Sequence, residues 1–417
     1  RFFEFLTQPR FDHPAPEIML SRSLLRRGSF RWYAPQHYVV GGGTATSALP
    51  GLLQELGCRR PLVVTDPYMV SSGKVATLGA ALEEQGASYG VFSDTVPEPS
   101  TADVDGTLAA FRDGNHDGLI ALGGGSPMDI AKVAGILATN GGHCRDYKFP
   151  SVVPAPGPPL VAIPTTAGTG SECTKVAVIT DVQTQEKMMM AHPYLMPSGA
   201  IVDYHLSMTC PPRLTADNAI DALTHAIEAY VSKKQNPLSD TIALEAIRRL
   251  APNLRRVWKE PGNEQGREDL MYAASLAGLA FSNSSVALVH GMSRPIGAHF
   301  HVPHGMSNAM LLPAITEFSV SAAAGRYADC ARAMGLVSAE TPEKEACEVL
   351  VAELRALNRE LEVPTLKQFG AEPARFDSLL STMAQQALAS GSPGNNPRTP
   401  SEAEIVGLYK EVFDMAY

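Results

Sequence analysis

Cysteine is scarce and unpatterned. Six residues (Cys58, Cys144, Cys173, Cys210, Cys330 and Cys347) are scattered over 417 positions with no CxxC pair. A disulfide framework is a poor fit to that spacing, and reduced thiols in a cytoplasmic protein are expected instead. A long basic run is also missing, and the formal net charge is −9, from 34 basic and 43 acidic residues. That balance argues against nucleic acid or an anionic membrane as a partner. No apolar stretch reaches the roughly 20 residues that a membrane helix needs. Residues 1–29 lack the apolar core of a secretory signal. SRSLLRR would suit a transit peptide, but Glu4, Asp12 and Glu17 do not, so 1–29 reads as an N-terminal extension.

What is present is enough apolar material (45%) for more than one core, and the length suggests two domains. From about residue 37 to 205, short β-rich runs alternate with Ala- and Gly-rich helical segments. The runs are HYVV, PLVVTD, SYGVFS, DGLIALGG, PLVAIP, KVAVITD and GAIVDY. Several end in Gly, Asp or Pro and feed a helical pattern, as the βα units of a mostly parallel sheet do. After Tyr204 the apolar spacing becomes helical throughout, and SGSPGNNPRTPSEAE (390–404) reads as a polar loop. The expected organisation is therefore an N-terminal α/β domain with a mostly parallel sheet at 30–208 and an all-helical domain at 209–417.

Two loops in the first half suit a phosphate. In GLIALGGGSPMDIAK a buried strand is followed by Gly123, Gly124, Gly125 and Ser126, then a helix. Glycines allow close backbone approach, and the helix N-terminus offers free N–H groups. A tight βα turn without a ligand reads about equally well, since this is not the GxGxxG fingerprint. In PTTAGTGSE, Thr165, Thr166 and Thr169 add hydroxyls between glycines. Ligands of open α/β sheets sit at strand carboxyl ends, so two such loops support each other. Gly41–Gly43 follows another strand and reads as a structural turn. Asp66 ends PLVVTD. Its carboxylate would accept from a ribose 2′-OH and repel a 2′-phosphate, favouring NAD over NADP, or it simply caps a turn.

In the second half, TADNAIDALTHAIEAYVS reads as a helix with Ile220, Leu223, Ile227 and Tyr230 as its core stripe and Thr215 as N-cap. Asp221 and His225 are four apart and share one face. Such a pair commonly only supports a helix, but Glu228 continues the polar stripe into a stretch fit for burial, where it needs a partner. His290 sits in the apolar SVALVHGMS and His304 in the turn VPHG. One Asp and three His suit a divalent ion such as Fe(II) or Zn(II), without choosing between them.

Together, GGGSPMDIAK, IPTTAGTGSE, NAIDALTHAIEAY, LVHGMSRPIGAHFHVPHGMSNAMLLP and NPRTPSEAEIVGLY make the chain resemble the iron-containing (group III) alcohol dehydrogenases from about residue 30 onward. The resemblance implies that 30–208 is a dinucleotide-binding domain and 209–417 a metal-binding domain, with metal ligands at Asp221, His225, His290 and His304. It implies a pyrophosphate loop at Gly123–Ser126 and cofactor contacts at Thr165 and Thr166. Asp66 would select NAD, Lys187 would lie near the cofactor ribose, and Phe281 would line the substrate pocket. The implied reaction is hydride transfer between NAD(H) and a small alcohol, aldehyde or ketone, with the metal as Lewis acid. A homo-oligomer, with a dimer favoured, is expected. One position departs from the family pattern: many members carry a second histidine four residues after the third ligand, where this chain has Arg294. A permanently charged guanidinium cannot relay a proton. It suits a substrate carboxylate instead, and proton exit falls to water, a ribose hydroxyl, His299 or His301. A lyase resembling dehydroquinate synthase is the alternative, although no lysine cluster surrounds the ligand helix. A structural zinc protein is another, although such sites are usually cysteine-rich.

Overall fold

The computed structural model describes residues 29–184 and 186–415, so nearly all of the N-terminal extension lies outside the described residues. Six strands form one parallel sheet: β1 (His37–Val40), β2 (Pro61–Val64), β3 (Gly90–Phe92), β4 (Gly118–Gly123), β5 (Leu160–Pro164) and β8 (Gly199–Val202). Their spatial order is β1-β8-β5-β4-β2-β3. Residues of β2, β4, β5 and β8 are buried throughout, as expected of a sheet covered on both faces.

The register matters for function. Gly123 of β4 pairs with Pro164 of β5, so the two glycine-bearing loops leave the sheet side by side. The Gly125–Asn140 helix follows β4 directly. The Gly41–Gly43 turn is structural: Asp203, just past β8, accepts from the backbone N–H groups of Gly43 and Ala45.

One strand departs from expectation. KVAVITD supplies β6 (Val176–Thr180), which leaves the parallel sheet and pairs antiparallel with β7 (Lys187–Ala191), a strand not foreseen. Both strands alternate between buried and half-buried residues, the pattern of a two-stranded ribbon with one covered face.

Beyond residue 205 the described residues hold helices and turns but no strand. The Pro212–Val231 helix is central, packed against the Pro237–Lys259, Glu264–Asn283 and His304–Val320 helices. From Thr215 to Val231 only Asn218 escapes full burial. Thr215 is not the N-cap: the helix starts three residues earlier, after Pro211. Thr215 is buried in its first turn, where its hydroxyl accepts from Arg267. Proline at the first helical position needs no hydrogen-bond partner for a missing N–H, which favours the earlier start. Among the described residues no single helix is long and apolar enough to cross a membrane.

The 390–404 segment is ordered by packing. It forms a short 3-10 turn, Ser392–Asn395, with Pro393 pressed against Gly291. Asn395 donates to Ser285 and Val286. It braces the start of the Leu288–Phe300 helix, on which His290 sits.

Candidate active site

Three helices supply one cluster. Asp221 and His225 project from the central helix, His290 from the first turn of Leu288–Phe300, and His304 from the first residue of His304–Val320. Asp221 Oδ1 lies 3.9 Å from His225 Nε2, 3.6 Å from His290 Nε2 and 3.7 Å from His304 Nε2. All four donor atoms fall within 4.8 Å of one another. Four donors at metal bonds of about 2.0–2.2 Å in a tetrahedron stand about 3.3–3.6 Å apart. The donor set therefore fits a divalent ion with little adjustment. It contains no thiolate, and the His304 side chain is 48% exposed, so the site is open on one side.

Charge is arranged to match. Burial alone would raise the Asp221 carboxyl, but the surrounding His225, His304 and His290 outweigh it and hold it far below the usual carboxylate range. Desolvation lowers His225 to about 4 against the pull of Asp221. His304 is also lowered, by desolvation of its inward face with His290, His225 and Arg294 adding repulsion. Both imidazoles are thus neutral at pH 7, as metal ligands must be.

His290 is different because Glu228 stands behind it. Burial lowers His290, yet Glu228 and Asp221 more than compensate and bring it up to about 9. Glu228 accepts from His290 Nδ1 at 2.6 Å, and from the backbone N–H groups of Ala287 at 2.9 Å and Val289 at 2.6 Å. A carboxylate on the far nitrogen of a ligating imidazole fixes its tautomer and raises its basicity. Glu228 is thus the partner that the buried polar stripe required.

This linkage has a measurable result. Without metal, His290 is protonated at pH 7, and its Nε2 must lose a proton before coordinating. Zn(II) affinity should therefore rise by about tenfold per pH unit between pH 7 and 9, then level off. Calorimetry in buffers of different ionisation enthalpy should show about one proton released per ion at pH 7.

Phe281, at the end of the Glu264–Asn283 helix, stacks on His225 with ring centroids 4.4 Å apart, and His225 stacks on His290 at 4.4 Å. Arg294 follows His290 by one helical turn, and its Nη1 donates to Ser392 Oγ at 3.2 Å. Its influence reaches His304, so it faces the same region. Among the described residues no carboxylate forms an ion pair with it. His299 instead bonds Gln386, and His301 ends the Leu288–Phe300 helix in a left-handed conformation. Neither belongs to the cluster.

Across the sheet ends the second group assembles. Gly124 caps the Gly125–Asn140 helix, and no side chain makes a capping hydrogen bond to that end. Gly123 has φ +150°, and a Cβ there would meet Pro127 at 2.8 Å. The facing loop is close: Cβ atoms on Gly124 and Gly125 would stand 3.6 Å from Thr166 and 3.1 Å from Thr169. Asp66 caps its own short helix through Met69 N, while its other oxygen lies against Gly123. Thr165 is buried, its N–H on Gly123 O, and Ser126 lies in the first turn of the Gly125–Asn140 helix. Lys187 lies on the β6–β7 hairpin, its ammonium 2.8 Å from Glu98.

Comparison with known proteins places this pairing of a metal-type cluster with a nucleotide-type groove. Residues 35–204 match the family described as iron-containing alcohol dehydrogenase, and 215–413 match its C-terminal part. The chain belongs to the iron-containing alcohol dehydrogenase family. This alcohol dehydrogenase is 38% identical to long-chain-alcohol dehydrogenase 1 of Geobacillus thermodenitrificans over 90% of this chain and 94% of that one. It is 35% identical to lactaldehyde reductase of Escherichia coli (strain K12), over 88% and 96%. Among solved structures, a 1,3-propanediol oxidoreductase superposes with a TM-score of 0.89 at 35% identity, over 93% of this chain and 100% of that one. A sulfoacetaldehyde reductase from Bifidobacterium kashiwanohense in complex with NAD+ gives 0.84 at 27% identity, over 94% and 100%. The enzyme is a metal-dependent alcohol/aldehyde oxidoreductase.

One residue at the cluster escaped the sequence reading. Asn308 follows His304 by four positions and is fully buried against the ligands. The same i,i+4 spacing that singled out Asp221 and His225 marks it.

Proposed function

We propose that the enzyme interconverts a small alcohol and its carbonyl compound using NAD(H) and Fe(II), held by Asp221, His225, His290 and His304. The observation that carries this reading is the close approach of four donor atoms from three helices, open on the His304 side. Zn(II) would fit the same donors; iron is chosen from the family. A bound metal polarises the substrate oxygen and lowers an alcohol's pKa, while the nicotinamide carries the hydride.

The protein's own part is positioning. The uncapped start of the Gly125–Asn140 helix, with Gly123–Ser126, binds the pyrophosphate, and Thr165 and Thr166 flank it across the groove. Asp66 meets the adenosine ribose, and its charge would repel a 2′-phosphate, which makes NAD the cofactor over NADP. Lys187 approaches the other ribose after exchanging Glu98. Phe281, held flat on His225, forms a wall of the substrate pocket. Arg294 stays protonated and relays no proton, so water on the open His304 side carries it away. A homodimer in the cytoplasm is proposed; six free cysteines are in keeping with a reducing compartment. The domain boundary is proposed near residue 208, between β8 and the Pro212–Val231 helix.

A second reading concerns substrate charge. Arg294 is a half-buried guanidinium with a serine as its hydrogen-bond partner, a setting that suits a substrate carboxylate. The lyase alternative draws no support from the relatives, which are dehydrogenases and reductases.

The test is a screen of short aldehydes, diols and their carboxylate-bearing analogues with NADH and NADPH. Reduction with NADH should disappear on chelation while the far-ultraviolet circular dichroism persists, and return with Fe(II) or Zn(II). No turnover with any substrate and metal would sink the reading. In the same screen Arg294→Ala should lose carboxylate-bearing substrates and keep neutral ones; equal effects on both would remove the charged-substrate reading.

A further inference from the structure

Asn308 is placed where an ordinary buried asparagine has no reason to be. Its Nδ2 lies 2.6 Å from Asp221 Oδ1, and 3.2 Å from both His290 Nε2 and His304 Nε2. Those are three of the four donor atoms of the cluster, so one end of the amide covers a complete face of the donor tetrahedron. At the other end, Oδ1 is buried with no hydrogen-bond partner. The residue is 0% exposed, so no bulk water compensates. An unpartnered buried amide oxygen is costly, because it has given up its hydrogen bonds to water and gained none.

The chemistry of the two ends differs. An NH2 group over this face donates to the Asp221 carboxylate and has the lone pair of the neutral His304 Nε2 beside it. Beside a cation the preference reverses, because an amide oxygen is attracted to positive charge and an NH2 group is repelled. Rotation by 180° about the terminal torsion exchanges the two ends without moving the backbone, and that torsion is soft.

We propose that Asn308 is a fifth contact of the metal centre: the NH2 group holds the ligands together in the metal-free protein, and Oδ1 turns to the ion when it binds. The proposal rests on reading the Asp221–His225–His290–His304 cluster as the metal site.

The experiment measures binding of Zn(II) by competition with a chromophoric chelator, and the visible spectrum of the Co(II)-substituted protein. Neither requires turnover. Asn308→Leu keeps the volume and removes both ends, and should weaken Zn(II) binding by roughly 10–100-fold, the usual range for groups supporting metal ligands. Asn308→Asp places an anionic oxygen on the same face. It should bind Zn(II) at least as tightly as the wild type, raise the unfolding temperature more on metal addition, and alter the Co(II) spectrum. The control is Asn358→Leu: this buried residue donates to Ala309 O on the same helix and touches no ligand, so its Zn(II) affinity should match the wild type. Wild-type affinity in both Asn308 variants overturns the proposal. So does weaker binding in Asn308→Asp than in the wild type, because only the N–H donated to Asp221 would then matter. If Asn308→Leu does not fold, Asn308→Asp decides alone. Failure of the wild type to bind Zn(II) or Co(II) at all would strike the metal site itself, a result distinct from failure of Asn308.

Discussion

Asp221→Asn should leave the fold intact and remove activity by about a thousandfold or more. The substitution is nearly isosteric, and Asp221 Oδ1 is the atom around which the three imidazoles gather at 3.6 to 3.9 Å. It is also the only anion among the four donors. A neutral amide both weakens the attraction for a divalent ion and removes one of the two negative charges that His290 feels, leaving Glu228. Polarisation of the substrate oxygen is worth several kcal/mol in metal enzymes, and each 1.36 kcal/mol is a factor of ten in rate. The check is kcat/KM for aldehyde reduction alongside metal content of the purified protein. NADH binding, read by the fluorescence of its reduced nicotinamide, should be unaltered, because the groove at the ends of β4 and β5 is built from other residues. Full activity in a metal-depleted Asp221→Asn protein would refute the metal's role.

The second large effect is expected at a residue that touches neither substrate nor cofactor. Glu228→Ala should destabilise the metal-free protein by about 3–5 kcal/mol, the range for breaking a buried ion pair from one side. Glu228 is 3% exposed and satisfies two backbone N–H groups as well as His290 Nδ1. Its loss leaves the entry to the Leu288–Phe300 helix with unpaired donors and His290 free to turn. Glu228→Gln should be milder in urea unfolding, since one amide oxygen still accepts. Yet it should abolish the proton release that accompanies Zn(II) binding at pH 7, because His290 would no longer be held near 9. Proton release unchanged in Glu228→Gln would show that Asp221 alone raises His290.

Much of this architecture was readable in the chain, and the limits have physical causes. The buried runs of β2, β4, β5 and β8 are continuous apolar strands bounded by Gly, Asp or Pro, and their alternation with helical segments marks a parallel sheet. β7 was invisible because MMM carries no alternation; only its pairing with β6 distinguishes inward from outward methionines. At the cluster, Asp221 and His225 were legible through helical spacing, a local property. That His290 and His304 reach the same point depends on how three helices pack, which local spacing does not encode; the family resemblance carried that step. Glu228 announced itself as a charge in an apolar stretch, but its partner lay 62 residues away. Asn308 carries no charge and its signal was spacing alone.

The loop between β5 and β6 and the helix carrying Phe281 meet with no side chain between them. A Cβ on Gly278 would stand 2.5 Å from Gly170 O, and one on Gly170 would stand 2.6 Å from Gly278 Cα. Gly170 also has φ +59°, so neither position accepts a larger residue. The two halves of the enzyme are thus joined here main chain to main chain, like two bars bolted without a washer. Three residues beyond Gly278 is Phe281, and one before Gly170 is Thr169, packed against Gly125. A shift of the helix would therefore be passed to the nucleotide groove undamped. Selection for a differently shaped alcohol along that helix would then carry a cost, or an opportunity, in the Michaelis constant for NAD.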